Sequence, residues 1–376
     1  MVRFVHTSDW QLGMTRRYLT PEAQARFTDA RIQAIRTIGA LASERDASFV
    51  VVAGDVFESN QVERQLVLRT LQALKEGGVR FYLLPGNHDP LDAGSVFKSN
   101  VFVSNCPDNV FVLDGEPVEP EPNVTLVSAP WRSKKQTADP IAEACLRAGQ
   151  VGGLKIVVGH GGSEAYAPDP DRADLIRTAP AEAAIADGAV HYIALGDRHS
   201  RTEVGASGRI WYSGAPEPTE YRETDPGLVL DVTLTESSID VVPVKVATWR
   251  FSESVETAID SSADVARFRN WLDGLPGKER TILNVGFVGT VGLAEMAELE
   301  ETIEHYRPMF GAIERRGGDS DLVIVPSDLD FSELSLAGFA ARATEELGVL
   351  AAEPGEEFQA ARDALGLLYR LARGAA

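Results

Sequence analysis

Phe81-Tyr82-Leu83-Leu84-Pro85-Gly86-Asn87-His88-Asp89 begins as four consecutive apolar residues and ends, past a proline and a glycine, on an amide, an imidazole and a carboxylate. The apolar run has the length of a strand buried on both faces. Gly86 allows a tight turn directly off that strand. The same pattern recurs four times. Val2–Val5 leads to Asp9 and Gln11, Phe49–Ala53 to Gly54-Asp55, Ile156–Val158 to Gly159-His160, and Tyr192–Leu195 to Gly196-Asp197-Arg198-His199. Taken alone, a Gly-Asp is an ordinary turn, and a His ending a strand is an ordinary core residue. In α/β sheets, however, sites form beyond the carboxyl ends of strands. Independent turns have no need of Asp, Asn and His at the same end of five strands. Their convergence predicts a metal site.

Helices are expected between some of these strands. Pro21–Ala42 places Phe27, Ala30, Ala34, Ile38 and Leu41 at three- and four-residue spacing, with Thr20 as N-cap and Pro21 in the first position. Gln61–Glu76 reads similarly and stops at Gly77-Gly78. The strands Val124–Val127, Arg209–Tyr212, Leu228–Leu234 and Ile239–Val244 follow without helical patterns. Residues 1–243 are thus predicted to form an α/β core with two sheets. Beyond Pro243–Thr248 the pattern restarts. Strands are expected at Trp249–Thr257, Thr281–Val288, Ala312–Arg316 and Asp321–Val325, helices at Ser262–Leu275 and Leu293–Tyr306, and a turn at Gly317-Gly318. Residues 244–331 therefore read as a small α+β domain, and 332–376 as two helices broken at Glu353-Pro354-Gly355. Phe358, Ala361, Leu365, Leu368 and Ala372 line one face of the last helix.

The 376 residues are 44% apolar and 24% charged, which excludes general disorder. Cys106 and Cys145 form no disulfide-framework or metal-type spacing, so a reducing compartment is expected. No stretch approaches the ~20 apolar residues of a membrane span, and no secretory apolar region precedes the first strand. A cytoplasmic protein is the expectation. Lys and Arg number 36 against 56 Asp and Glu, so the net charge is 36 − 56 = −20. A non-specific DNA binder usually shows a basic face, and the net charge argues against one. Each side of residue 243 carries roughly −10, and beyond it the acid lies mainly between Asp319 and Glu357. Any DNA contact is therefore expected from the first two-thirds. Arg16 and Arg17 follow the first strand end, Arg198 and Arg201 flank the last, and Arg132, Lys134 and Lys135 are the densest basic cluster. Near a phosphodiester site these residues would hold a DNA backbone; otherwise they are solvated loop charges. His6 and His191 lie in strand patterns and read as structural, and His305 reads as a surface residue of a helix.

The ordered set Asp9…Gly54-Asp55…Gly86-Asn87-His88-Asp89…Gly159-His160…Gly196-x-x-His199 resembles the calcineurin-like metallophosphoesterases. Within them, His6-Thr7-Ser8-Asp9-Trp10-x-Leu12-Gly13 and Trp211-Tyr212-Ser213-Gly214-Ala215-Pro216 resemble the SbcD-like nuclease subunits of bacterial double-strand-break repair complexes. The resemblance implies a four-layer αββα core of two mixed sheets, a capping domain, and C-terminal helices that dock on an SMC-like coiled-coil ATPase. It implies two divalent metal ions, Mn²⁺ or Mg²⁺, bridged by Asp55, with Asp9 and His199 on one and Asn87 and His160 on the other. His88 would be the proton donor or phosphate contact, oriented by Asp89. The implied activity is a DNA exonuclease and single-strand endonuclease. A homodimer through Gln61–Glu76 and Leu91–Asn105 is implied as well.

Two positions depart from the family pattern. Its Asp-x-His is Asp9-Trp10-Gln11 here, and its Gly-His-x-His is Gly196-Asp197-Arg198-His199. One imidazole is missing at each metal. Gln11 and Asp197 offer oxygen instead, a harder donor that suits Mn²⁺ or Mg²⁺. Asp197 adds a negative charge that favours cation retention. Three functions stay open on this sequence: the nuclease, a small-molecule phosphodiesterase with the same metal chemistry, and a catalytically impaired scaffold. The long extension after the core favours the first, the net charge the second, and the two lost imidazoles the third.

Overall fold

Side chains alternate across a strand, and here both faces find apolar partners. In Val2–Thr7 (β1), Val2 and Phe4 enter one apolar cluster and Val5 another. In Phe49–Val52 (β2), Phe49 and Val51 part from Val50 and Val52 in the same way. The helices Pro21–Glu44 (α1) and Arg64–Glu76 (α2) bring Ile35, Ile38, Leu71 and Leu74 to the cluster that holds Val5. The other cluster is the space between two sheets. The computed structural model from which this architecture is read describes residues 1–253, 257–316, 321–324 and 338–351, with 360, 361, 364, 365 and 368.

The first sheet runs, edge to edge, Ile239–Lys245 (β12), Leu228–Leu234 (β11), β1, β2, Arg80–Leu83 (β3) and Val110–Val112 (β4). The strands β1 to β4 pair in parallel, and β11 pairs antiparallel with both β1 and β12. The second sheet runs Val118–Glu121 (β5), Val124–Ser128 (β6), Leu154–His160 (β7), Tyr192–Gly196 (β8), Ile210–Tyr212 (β10) and Thr202–Glu203 (β9). Its four inner strands are parallel and its two edge strands antiparallel to their neighbours. Pro120 lies in the edge strand β5, where a missing N–H is tolerated. The short helix Asn100–Asn105 (α3) packs beside α2. Ala142–Ala148 (α4) and Thr178–Ala186 (α5) set Ala144, Ala148 and Ala181 against Val127, Val157 and Ile193 on the outer face of the second sheet. The layers are helix, sheet, sheet, helix: the αββα core with two mixed sheets.

Thr20 caps α1, its Oγ1 accepting the Ala23 N–H at 3.2 Å, with Pro21 in the first position. α2 starts at Arg64, later than the sequence predicts, because Ser59 Oγ takes the Gln61 N–H in a turn and the chain stays extended at Glu63. β12 continues to Lys245, and Trp249 packs edge-on against Phe27 with ring centroids 5.1 Å apart. The first compact unit spans Met1–Arg250 and the second Phe251–Ala376.

In the second unit, Arg250–Glu253 (β13), Thr281–Val285 (β15) and Ala312–Arg315 (β17) form one three-stranded sheet, and Thr257–Ala258 (β14), Phe287–Val291 (β16) and Asp321–Ile324 (β18) another. The single strand expected over 281–288 is therefore two, parted at Gly286 and belonging to different sheets. The helices Ser262–Gly274 (α6) and Leu293–Tyr306 (α7) contribute Phe268, Leu272, Leu299 and Ile303 to a core with Leu283, Val285 and Phe287. Phe339–Leu350 (α8) is the first helix of the tail. The turns expected at 317–318 and 353–355 lie outside the described residues. Among those described, no helix is long and apolar enough to cross a membrane.

Candidate metal centre

The site forms where the two sheets face each other. β1, β2 and β3 end there from one sheet, β7 and β8 from the other. Side chains tie the sheets together at this point. His160 Nδ1 donates to the Ala53 carbonyl at 2.8 Å. His6 lies 3.0 Å from Tyr192 Oη through Nδ1 and 3.2 Å from the Leu195 carbonyl through Nε2. Burial pushes the His6 pKa down to about 3, so it is a neutral bridge, the structural histidine that the sequence suggests.

The loops leaving these strands adopt conformations that L-residues seldom take. Among the described residues, seven non-glycines have positive φ; four are Asp9 (53°), Gln11 (43°), Asp55 (54°) and Asp197 (101°). Two backbone bonds hold the first pair of loops together, from Asp9 N to Gly54 O at 3.0 Å and from Gln11 N to Asp55 O at 2.9 Å. Two glycines let the loops close. A Cβ on Gly54 would sit 2.1 Å from His160 Nδ1, and one on Gly86 would sit 2.1 Å from Asp55 Oδ1.

Asp9, Asp55 and His160 each bring one ligand atom within 4.8 Å of the others, and all three are buried. Asp55 Oδ2 lies 3.4 Å from His160 Nε2 and 3.9 Å from His88 Nε2, and Asp55 Oδ1 accepts the His88 N–H at 3.0 Å. Asn87 Oδ1 is 2.7 Å and Asp197 Oδ1 3.8 Å from His160 Nε2. Ser8 Oγ donates to Asp9 Oδ2 at 2.6 Å, and the Asp197 N–H reaches both Asp9 oxygens at 3.1 and 3.2 Å. His199 Nε2 is 3.9 Å from Asp9 Oδ1 and 3.2 Å from Gln11 Nε2. The fold thus brings all seven sequence-predicted ligand positions together: Asp9, Gln11, Asp55, Asn87, His160, Asp197 and His199.

Two features show that this donor set fits divalent metal ions. The Ala53 carbonyl can only accept, so Nδ1 of His160 carries the proton of the neutral ring. Its Nε2 is then a lone pair aimed at oxygens of Asn87, Asp55 and Asp197. A lone pair facing oxygen acceptors calls for a cation between them. Gln11 Oε1 is also buried without a hydrogen-bond partner, the condition of an amide oxygen awaiting a ligand.

Without metal, protons take the cation's place. Burial opposes a charge on His160, yet Asp55 and Asp9 outweigh it and hold the imidazole pKa well above its ordinary value. At His199 burial is again outweighed, by the Glu223 hydrogen bond and the Asp9 charge, and the pKa rises to about 9. Metal must displace these protons. Mn²⁺ affinity is expected to rise between about pH 6.5 and 9, by up to tenfold per unit for each proton released. The sign for stability is opposite. An imidazole whose folded pKa is raised contributes stability that is complete below about 6.5 and fades as pH climbs through the folded value. The melting temperature of the metal-free protein should therefore fall across that window. Calorimetric titrations at three pH values check the first expectation; a flat affinity profile would contradict it.

His88 and Asp89 part company. His88 Nδ1 donates to the Glu58 carbonyl at 3.0 Å, which turns Nε2 toward Asp55. Asp89 is buried and accepts the N–H groups of Gly86 at 2.7 Å and Phe57 at 2.9 Å. The expectation that Asp89 orients His88 is corrected: the Glu58 carbonyl does so, because both Asp89 oxygens are taken by backbone donors that clasp the loops after β2 and β3. Burial and the nearby Asp55 charge push the Asp89 carboxyl up to about 7. Asp89→Asn leaves one of these N–H groups without an acceptor and should cost about 1–3 kcal/mol. Urea unfolding measures it, and unchanged stability would refute the clasp.

The predicted DNA contacts are already engaged in part. Arg16 donates to the Thr219 carbonyl at 2.7 Å, Arg132 to the Asp114 carbonyl and Arg198 to Thr202 Oγ1 at 2.8 Å, while Arg201 pairs with Asp225 at 3.2 Å. Arg198 also stacks on the Tyr166 ring at 4.4 Å. Arg17, Lys134 and Lys135 are exposed. Trp10 and Trp131 are buried, and Trp131 Nε1 donates to the His160 carbonyl at 2.6 Å. The sequence reading missed Thr219 and Glu223, which lie against His199, and Glu58 beside His88. In a stretch that also holds Glu217, Glu220 and Asp225, Glu223 reads as a solvated acid, and nothing in its spacing marks it as buried.

Comparison with known proteins agrees with this geometry. The family model described as calcineurin-like phosphoesterase matches residues 2–233, more than half of the chain. The chain is 24% identical over 362 residues to a Bacillus subtilis protein named as a subunit of the nuclease SbcCD, covering 82% of this chain and 86% of that one. It is 34% identical over 97 residues to the DNA double-strand break repair protein Mre11 of Haloferax volcanii, covering 25% of this chain and 21% of that one. Among solved structures, a dimetal phosphatase from Danio rerio is similar at a TM-score of 0.39 and 13% identity, over 65% of this chain and 99% of that one.

Proposed function

Because the chain belongs to the calcineurin-like phosphoesterase family, hydrolases built around a dinuclear divalent metal centre, we propose that it is a Mn²⁺- or Mg²⁺-dependent DNA nuclease that works in double-strand-break repair with an SMC-like ATPase. The observation that carries this reading is the reach of the nuclease-subunit similarity. It covers 82% of the chain, more than the phosphoesterase core alone supplies. Hydrolysis of a small diester needs no such extension.

In this reading Asp55 would be shared by two ions. Asp9, Gln11 and His199 complete one position, and Asn87, His160 and Asp197 the other. When bound, the ions supply a hydroxide at neutral pH and neutralise phosphoryl oxygens. The chain's own residues do the rest. His88, held by the Glu58 carbonyl, presents Nε2 to the phosphodiester as a proton donor or phosphate contact. Arg17, Lys134 and Lys135 contact the DNA backbone, joined by the remaining N–H groups of Arg16, Arg132, Arg198 and Arg201. The tail 332–376 docks on the ATPase, with Phe339 and Val349 of α8 exposed for it. A homodimer forms through α2 and Leu91–Asn105, where Val103 is exposed.

The net charge of −20 favours a small-molecule diester instead, and one experiment separates the readings. The purified chain is loaded with Mn²⁺, bound metal is counted, and single-stranded DNA and bis-p-nitrophenyl phosphate are assayed side by side, with and without the ATPase subunit. Two metals with DNA cleavage support the nuclease. Cleavage of the small diester alone, with the ATPase present, assigns the other substrate class. One metal or none, with no cleavage, makes the chain a scaffold.

A further inference from the structure

His199 is oriented by residues about twenty positions further along the chain. Its Nδ1 lies 2.6 Å from Thr219 Oγ1 and 3.3 Å from Glu223 Oε1. The Glu223 side chain is 2% exposed, and its two oxygens accept the Thr219 N–H at 3.0 and 3.1 Å as well as the Thr219 hydroxyl proton. A hydroxyl has one proton to give. Since Thr219 gives its proton to Glu223, its oxygen accepts from His199 Nδ1–H. Nε2 of the neutral ring is then a lone pair turned toward Asp9 and Gln11. Thr219 is held in turn. Arg16 Nη2 donates to its carbonyl at 2.7 Å, and buried Arg31 donates to the carbonyls of Glu217 at 3.1 Å and Pro218 at 2.9 Å.

We propose that Glu223, acting through Thr219, is a positioning residue of the metal centre that fixes the tautomer and ring direction of His199. The proposal rests on the metallophosphoesterase reading above. At position 11 this chain has an amide where the family has an imidazole, so His199 is the one nitrogen donor beside Asp9 and Gln11. Its direction therefore matters more here than it would with two imidazoles sharing the ion. A carboxylate behind a ligating histidine orients the ring and raises its basicity, and losing such a partner typically costs 10–100-fold in metal affinity.

The test is calorimetric titration of the full chain with Mn²⁺, without DNA, for the wild type, Glu223→Gln, Thr219→Val and Thr219→Ser. The wild type should bind two ions. Glu223→Gln and Thr219→Val should weaken one of them by about 10–100-fold and leave the other nearly unchanged, while Thr219→Ser, which keeps the hydroxyl, should restore wild-type affinity. Melting in EDTA monitors folding, and Thr219→Val carries the test if Glu223→Gln does not fold. Unchanged affinity in folded variants overturns the proposal. Equal weakening of both ions also overturns it, because that is the signature of a merely structural role. A wild type that binds no metal at all refutes the metal-dependent reading itself, before any variant is compared.

Discussion

Asp55→Ala is expected to empty both metal positions and to reduce phosphodiester cleavage by about 10²–10³-fold or more, the scale on which removing a preorganised charge stabiliser acts. Asp55 lies between the two halves of the site: its ligand atom is within 4.8 Å of those of both Asp9 and His160, and its Oδ2 is 3.4 Å from His160 Nε2. Truncation removes the carboxylate proposed to be shared by the two ions. It also removes the charge that holds the His160 pKa up, so the imidazole gives up its proton more readily even as the cation site is lost. Stability should fall, because His160 and His88 outweigh the cost of burying this carboxylate and hold its pKa down, and the His88 N–H loses its acceptor. Metal counted per chain, cleavage rate and melting temperature together check the expectation. A folded variant that still carries two ions would refute the bridging role.

The second large effect is steric. Gly54→Ala would put a methyl group 2.1 Å from His160 Nδ1 and 2.4 Å from its Cγ, at a φ of 97° that L-residues rarely adopt. The backbone conformation costs about 1–2 kcal/mol, and overpacking costs about 1–3 kcal/mol more. His160 cannot retreat without breaking its bond to the Ala53 carbonyl. Urea unfolding should show a loss of about 2–5 kcal/mol, accompanied by loss of bound metal. Wild-type stability in this variant would mean that the loop at Gly54 and the His160 ring stand further apart in solution.

Much of the centre was legible in the sequence because the same local logic is repeated. An apolar run of strand length followed at once by a metal-competent side chain can be read without knowing any contact, and all five runs are strands, although β1 continues to Thr7 and β7 to His160 itself. The cap at Thr20 is legible for the same reason: its partner Ala23 is three residues away. What could not be read depends on partners distant in sequence. Asp89 adjoins His88 in the chain but clasps Phe57, 32 residues earlier. Glu223 looks like one acid among several until His199 is found beside it. Arg16, Arg198 and Arg201 look available for DNA until their partners at Thr219, Thr202 and Asp225 are seen. The break at Gly286 divides a sequence whose apolar character continues across it, so composition gives no sign that the two halves join different sheets.

Glu217 gives the brace behind His199 a mechanical meaning. Its carboxylate takes the Thr248 N–H at 2.8 Å, the Thr248 hydroxyl at 2.8 Å and the Trp249 N–H at 3.0 Å, clamping the chain just before the second unit begins. Two residues further on, Thr219 touches His199. Three residues, 217–219, therefore link the anchor at Trp249 to the His199 ring. The exit of the chain from the first unit and the imidazole beside Asp9 share one keystone, the stretch 217–219.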